Sequence, residues 1–129
     1  KYAIYLAIYA TLGGMDAYAA DLRPLFDAIR QTERGPVGGN IWDVNGIARG
    51  PYCIHAAYAA DAGVPWSGCY TVAGSERCMA RYWQRYQPAA LKRGDFETLA
   101  RVHNGGPAGA RMRATVKYWR AVKAHMQRS

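Results

Sequence analysis

The chain has 129 residues, which is enough for one domain with a sizeable core and too few for two. Half of the residues are apolar and a fifth are charged, a globular balance that argues against a disordered chain. Seventeen Lys and Arg against nine Asp and Glu give a net charge of +8. This charge favours a polyanionic partner such as nucleic acid, an anionic membrane surface or bacterial cell wall, without choosing among them.

The first 19 residues have the pattern of an export signal. One lysine precedes an apolar run from Tyr2 to Leu12, and the segment closes on the small-x-small sequence Ala17-Tyr18-Ala19. The run is too short to span a bilayer. We therefore expect residues 1–19 to be a signal peptide, residues 20–129 to form the domain, and the protein to be secreted or periplasmic. The alternative is a retained apolar helix or strand that packs on the core.

The next segment predicts a helix that ends on an acidic residue. Its apolar face has helical spacing and consists of Leu22, Leu25, Phe26 and Ile29. Asp21 can cap this helix and Gly35-Pro36 stops it. Glu33 lies four residues after Ile29 and therefore shares the inward face at the helix end. We expect its carboxyl to be partly buried, with a raised pKa.

The rest of the chain predicts a mostly helical α+β domain with one short β-hairpin. Residues 35–54 are rich in glycine and suit an irregular hairpin. Further helices are expected over 55–61, over 76–86, from an Asp95 cap to the Asn104-Gly105-Gly106-Pro107 stop, and over 111–127. The last helix carries basic residues that we expect to face mostly outward: Arg111, Arg113, Lys117, Arg120, Lys123 and Arg128.

Two acids in different surroundings suggest glycoside hydrolysis. That reaction needs one carboxyl that stays protonated near neutral pH and one that stays ionised. Glu33 at the helix end suits the acid, and Asp43 in the polar, glycine-rich hairpin suits the carboxylate. Such a pair also occurs by chance, so the spacing alone does not establish catalysis.

Several motifs resemble the invertebrate-type (destabilase-like) lysozymes. They include Asp43-Val44-x-Gly46, Gly50-Pro51-Tyr52 and, most specifically, the string LARVHNGGPAGA over 99–110, followed by TVKYW over 115–119. The resemblance covers about residues 25–122, and the low cysteine content is similar to that of bacterial members. It implies a lysozyme-like fold and a retaining muramidase that cuts the β-1,4 bond between N-acetylmuramic acid and N-acetylglucosamine. By position, Glu33 would be the acid and base, and Asp43 the nucleophile or charge stabiliser.

Four further residues are candidates for sugar contact. Tyr52 is expected at the cleft, because aromatic faces stack on sugar rings, although a core position also suits it. His103 can contact substrate, support the cleft or bond helix-terminal carbonyls. Asn104 and Gly105 favour a tight turn whose backbone amides can touch sugar.

The chain departs from the family pattern at its cysteines. Cys53 stands where the family has a glutamine, and the multi-disulfide framework is missing. Cys69 and Cys78 match two of the family's cysteines, so the resemblance implies that they pair and leave Cys53 outside the bridge. The isopeptidase activity of some members is not carried over, because no serine lies beside a histidine in sequence. No histidine pair has metal-ligand spacing, and no metal or organic cofactor is implied.

The expected partner is therefore the glycan strand of peptidoglycan, and the expected protein is an antimicrobial, monomeric hydrolase. Two other interpretations remain open from the sequence: a lytic transglycosylase, which needs no nucleophilic aspartate, and a non-catalytic module that binds peptidoglycan. Specific nucleic-acid binding rests on charge alone, without a recognised motif. Stable membrane insertion is not expected.

Overall fold

The computed structural model describes residues 21–34 and 47–128, whose backbone forms six α-helices and one short antiparallel hairpin. The helices are α1 Arg23–Glu33, α2 Ala56–Ala62, α3 Val72–Tyr86, α4 Pro88–Arg93, α5 Phe96–Gly105 and α6 Ala114–Gln127. The strands are β1 Ala48–Arg49 and β2 Ile54–His55, and two 3-10 turns span Trp66–Gly68 and Gly109–Arg111. This confirms the predicted mostly helical α+β fold. The predicted signal peptide, the domain boundary at residue 20 and Asp43 lie outside the described residues.

The hairpin is confirmed in its described part, where β1 and β2 pair in register Ala48↔His55 and Arg49↔Ile54. The turn between them requires glycine at position 50. Gly50 has φ of 74°, and a Cβ there would lie 2.1 Å from the backbone oxygen of Cys69. This close approach anchors the hairpin turn against the segment that leads into α3.

Most of the predicted helices are present, with shifted ends. Asp95 caps α5 as expected, because its Oδ1 accepts a hydrogen bond from the backbone N–H of Thr98 at 3.2 Å. The predicted Asp21 cap is wrong, since Leu22 is the N-cap of α1 and makes no side-chain cap bond. α3 begins at Val72, before the predicted residue 76, because Thr71 Oγ1 accepts a hydrogen bond from the N–H of Gly74.

Two local features were not predicted from the sequence. α4 is a short helix that Pro88 opens and Gly94 closes in a left-handed conformation (φ 69°). The residues before α6 form a 3-10 turn, so this helix begins at Ala114 instead of residue 111. The basic residues predicted to face outward around α6 are all exposed.

The core lies where α1, α3 and α5 meet, and its centre is the fully buried Trp83. Phe26 from α1 stacks on this indole with ring centroids 5.7 Å apart, and the indole N–H donates to the Leu99 carbonyl of α5 at 2.9 Å. α6 covers α1 and α5 from the other side. This packing places the C-terminal end of α1 against α5 and α6. None of the helices among the described residues is long and apolar enough to cross a membrane.

A partly buried ionic cluster ties α1, the hairpin turn and α3 together. Arg23 on α1 makes a two-pronged ion pair with Glu76 on α3, at 2.7 and 2.6 Å. The Tyr52 hydroxyl in the hairpin turn donates to the same carboxylate at 2.5 Å. Charge-assisted, bidentate contacts of this kind fix relative orientation as well as contributing energy. The cluster therefore holds the hairpin turn in a defined position relative to α1.

Candidate active site

Glu33 is the last residue of α1, and its side chain points into the interior. The next residue, Arg34, adopts a left-handed conformation (φ 54°) and returns its N–H to the carbonyl of Arg30, which ends the helix. The Glu33 side chain is only 20 % exposed. Tyr118 on α6 donates its hydroxyl to Glu33 Oε1 at 3.4 Å. The predicted partial burial of this carboxyl is therefore confirmed.

Burial raises the pKa of Glu33 from 4.5 to about 7, while the hydrogen bond from Tyr118 lowers it by a smaller amount. Removal from water penalises the ionised form, and no cation lies close enough to offset that penalty in the described part of the site. A carboxyl with a pKa near 7 holds a proton in a substantial fraction of molecules at neutral pH. Glu33 can therefore act as a general acid there.

His103 on α5 lies beside Glu33 and is neutral. Its Nε2 is 4.0 Å from Glu33 Oε1, and its Nδ1 is 3.0 Å from the Tyr58 hydroxyl. Burial lowers the pKa of His103 to about 4. The ring is enclosed by Tyr58, Trp83 and Tyr118. An uncharged imidazole adds no positive charge beside Glu33, so it does not pull the carboxyl pKa down.

A cavity of about 140 Å³ opens beside Glu33. The hairpin turn, α2 and α5 contribute its walls, which consist of Glu33, Cys53, Ile54, His55, Tyr58, His103 and Asn104. Cys53 has a left-handed backbone (φ 52°), which directs its Sγ toward the Glu33 carbonyl oxygen at 3.9 Å. The cavity thus presents one buried acid, one neutral histidine and the exposed polar groups of His55 and Asn104.

The structure distributes the predicted site residues unequally. Glu33, His103 and Asn104 meet at this cavity, whereas Asp43 lies outside the described residues. The placement of Tyr52 at the cleft is corrected, because its side chain is fully buried and its hydroxyl bonds Glu76, so its ring cannot stack on a sugar.

Gly105 is also absent from the lining of the cavity. A Cβ at this position would lie 2.6 Å from Thr115 Cγ2 and 3.1 Å from Met112 Sδ. The absence of a side chain lets α5 and α6 approach closely here, and the predicted sugar contact of the Gly105 backbone stays a prediction.

Neither Tyr118 nor Tyr58 is identified as a site residue from the sequence. The signal for Tyr118 lies in the spacing of α6, where Thr115 and Val122 are the buried residues. Tyr118 is three residues after the first and four before the second, so it shares their inward face. No local spacing indicates the role of Tyr58, because its hydroxyl contacts His103, which lies 45 positions further along the chain.

Cys69 and Cys78 lie side by side in the core as thiols, so the implied disulfide is not formed in this structure. A hydrogen bond between them lowers the pKa of Cys69 and, with burial, raises the pKa of Cys78. Because the two side chains are in contact, a disulfide between Cys69 and Cys78 remains a prediction for oxidising conditions. No cluster of three or more potential metal ligands occurs among the described residues.

Comparison with known proteins identifies relatives along most of the chain. Lysozyme 1 of Crassostrea virginica is 41% identical over 93 residues, which is 69% of this chain and 50% of that protein. Invertebrate-type lysozyme 6 of Caenorhabditis elegans is 34% identical over 108 residues, which is 73% of this chain and 78% of that protein. This chain therefore spans half of the oyster protein's length and over three quarters of the nematode protein's. No family model matches the chain.

A solved structure shares the fold. It is the complex of Aeromonas hydrophila PliI with Meretrix lusoria lysozyme, of which one chain matches with a TM-score of 0.63 and 26% identity. The match covers 78% of this chain and 87% of the other. The helical fold with its small hairpin is thus a lysozyme-like fold. The chain belongs to the invertebrate-type lysozyme family.

Proposed function

We propose that the protein is a peptidoglycan muramidase that hydrolyses the β-1,4 bond between N-acetylmuramic acid and N-acetylglucosamine, with Glu33 as its general acid and base. The observation that carries this proposal is the Glu33 carboxyl, which is buried at the wall of a cavity and has its pKa raised to about 7. The relatives, which are named lysozymes, support the same activity.

The proposed reaction has two steps. In the first, protonated Glu33 gives its proton to the glycosidic oxygen as the bond from that oxygen to the anomeric carbon breaks, and Asp43 bonds the anomeric carbon. In the second, ionised Glu33 takes a proton from water, whose oxygen displaces Asp43 and leaves a sugar of retained configuration. Glu33 regains its proton at the end of the cycle. The part assigned to Asp43 rests on its place in a polar, glycine-rich stretch of the sequence and on the family resemblance.

Three neighbours suit Glu33 to this cycle. Tyr118 is a neutral donor to Oε1 and can stabilise the carboxylate formed in the first step. His103, held through its Nδ1 by the Tyr58 hydroxyl, fills the space behind the carboxyl without adding charge. We propose that Asn104, which is exposed at the cavity rim, contacts the hydroxyl or N-acetyl groups of the sugar.

The direct test is the identity of the products from purified peptidoglycan. A muramidase releases muropeptides with a reducing N-acetylmuramic acid end, which mass spectrometry distinguishes from the lighter 1,6-anhydro products of a lytic transglycosylase. Reducing products support the proposal, and anhydro products would assign the chain to the other reaction. Binding to the wall without any released fragment would make the protein a binding module and overturn the catalytic assignment.

We also propose that the protein is exported to the periplasm or the exterior, acts as a monomer and has antimicrobial activity. Export is supported by the signal-like pattern of residues 1–19. Light scattering of the purified protein would test the monomer, and N-terminal sequencing of protein recovered from the producing cells would test cleavage after Ala19. Intact residues 1–19 in the recovered protein would contradict the export signal.

A protein partner is suggested by the structural relative. Because the Meretrix lusoria lysozyme is bound by PliI in that complex, we propose that a PliI-type protein binds this chain as well. Titration of Aeromonas hydrophila PliI into the protein, followed by calorimetry, tests this. The absence of heat above the dilution control would refute it.

A further inference from the structure

A second cavity, of about 450 Å³, lies at the other end of α2 from Glu33. The C-terminal end of α2, the first 3-10 turn and the beginning of α3 surround it. Its lining includes Gly63, Val64, Pro65, Ser67, Arg77 and Arg81. It is larger than the cavity beside Glu33, and none of the reaction steps above uses it.

Positive charge in this cavity is not balanced by an acid. Arg77 and Arg81 lie one turn apart on the same face of α3, and among the described residues no carboxylate lines the cavity. Neither guanidinium makes an ion pair in the described part of the chain, whereas Arg23, Arg93 and Arg101 each pair with a carboxylate. Like charges at this spacing repel each other. An anion placed between the two guanidiniums would relieve that repulsion.

The second sign of a missing partner is the Nε of Arg81. This atom is buried and has no hydrogen-bond partner among the described residues, and an anion in the cavity would reach it if the side chain turned toward that anion. A buried donor without an acceptor is costly, and most such groups in folded proteins are satisfied by protein, water or ligand. A carboxylate or phosphate offers several oxygen acceptors, and the planar guanidinium matches both groups.

The wall that faces the arginines packs closely on α3 and carries no charged side chain among the described residues. The first 3-10 turn packs directly on α3, since a Cβ on Gly74 would lie 1.8 Å from the backbone oxygen of Gly68. Val64 and Pro65 provide apolar surface and Ser67 provides an exposed hydroxyl. The cavity therefore combines an apolar wall, a hydroxyl and two guanidiniums, which suits an anionic group carried by a larger molecule.

We propose that this second cavity binds an anionic group, a carboxylate or a phosphate, carried by the cell-wall polymer that occupies the Glu33 cavity. The choice of polymer rests on the proposed function, but the binding itself does not require Glu33. His55 at one end of α2 lines the Glu33 cavity and Gly63 at the other end lines the second. The seven residues of α2 span roughly 10 Å, so one polymer can reach both cavities.

The test compares two double variants that remove the same charge. Arg77→Gln/Arg81→Gln alters the cavity, and Arg113→Gln/Arg120→Gln removes two exposed basic side chains from the region of α6. Each is made in the Glu33→Gln background, so that the wall is not consumed, and sedimentation with insoluble wall at a fixed salt concentration gives the affinity. We expect the affinity of the cavity variant for the wall to fall about tenfold, because charged hydrogen bonds are lost, and the affinity of the control to fall much less. Equal losses would show a general charge effect and overturn the proposal, as would unchanged affinity in the cavity variant.

Two further wall preparations identify the source of the anion. If the cavity variant and the control variant bind equally well to wall stripped of phosphate polymers, the anion is a phosphate. If they bind equally well to wall stripped of its peptides, the anion is a carboxylate. If the double variant melts well below wild type, Arg77→Gln alone, at an exposed position, gives the same comparison. A protein that binds through this cavity but releases no fragments would contradict the muramidase proposal and leave this one standing.

Discussion

The raised pKa of Glu33 makes a quantitative prediction about stability. A carboxyl whose pKa is higher in the folded state than in the unfolded chain binds protons on folding, so the native state becomes less stable as pH rises. The pKa rises from 4.5 to about 7, and each pH unit corresponds to about 1.4 kcal/mol. Ionisation of Glu33 therefore lowers the free energy of unfolding by about 3 kcal/mol, and this loss develops between pH 4.5 and pH 7.

Glu33→Gln removes this dependence, because glutamine does not titrate. We expect the free energy of unfolding of Glu33→Gln minus that of wild type to be about 3 kcal/mol more positive at pH 8 than at pH 4, as measured by urea unfolding. Glu97→Gln serves as the matched control, since that side chain is 49 % exposed. If the difference in free energy of unfolding between Glu33→Gln and wild type is the same at pH 4 and pH 8, the desolvation of Glu33 is refuted.

Three other predictions concern single contacts. Replacing Tyr118 with Phe removes a donor that lowers the pKa of the Glu33 carboxyl, so the alkaline limb of the pH–activity profile should move to higher pH; a move to lower pH would contradict this. Under oxidising conditions Cys69 and Cys78 should form a bridge, so that thiol titration of the denatured protein falls from three groups to one; three groups throughout would exclude the pairing. Gly105→Ala should lower the free energy of unfolding by about 1–3 kcal/mol, because its Cβ collides with α6, whereas Gly68→Ala, whose Cβ meets nothing within 4 Å, should cost less; equal losses in thermal melts would contradict the collision.

The features predicted well from the sequence are those set by local spacing. The position of Glu33 on the inward face of α1 followed from its distance of four residues from Ile29, and its burial and raised pKa followed from that position. The Asp95 cap was recognised because capping involves residues three apart. Local chemistry therefore indicated both the end of α1 and the acid that lies there.

The position of Tyr52 and the surroundings of His103 depend on partners far away in sequence. An aromatic residue suits both a sugar surface and a core, so the sequence does not decide between these two positions for Tyr52. Its buried position is set by Glu76, 24 residues further on, which accepts a hydrogen bond from its hydroxyl. The aromatic residues that enclose His103 likewise come from three different helices, α2, α3 and α6. Spacing within one helix does not contain this information, since it depends on how the helices pack.

The measurement that tests the central claim most directly is the initial rate of release of soluble muropeptides from peptidoglycan by wild type, Glu33→Gln and Glu97→Gln at neutral pH. General acid catalysis contributes about 10²–10⁴-fold to such a reaction. We predict a loss of at least about a hundredfold for Glu33→Gln and little change for Glu97→Gln. A Glu33→Gln variant that is folded and releases fragments at nearly the wild-type rate would contradict the assignment of Glu33 as the catalytic acid.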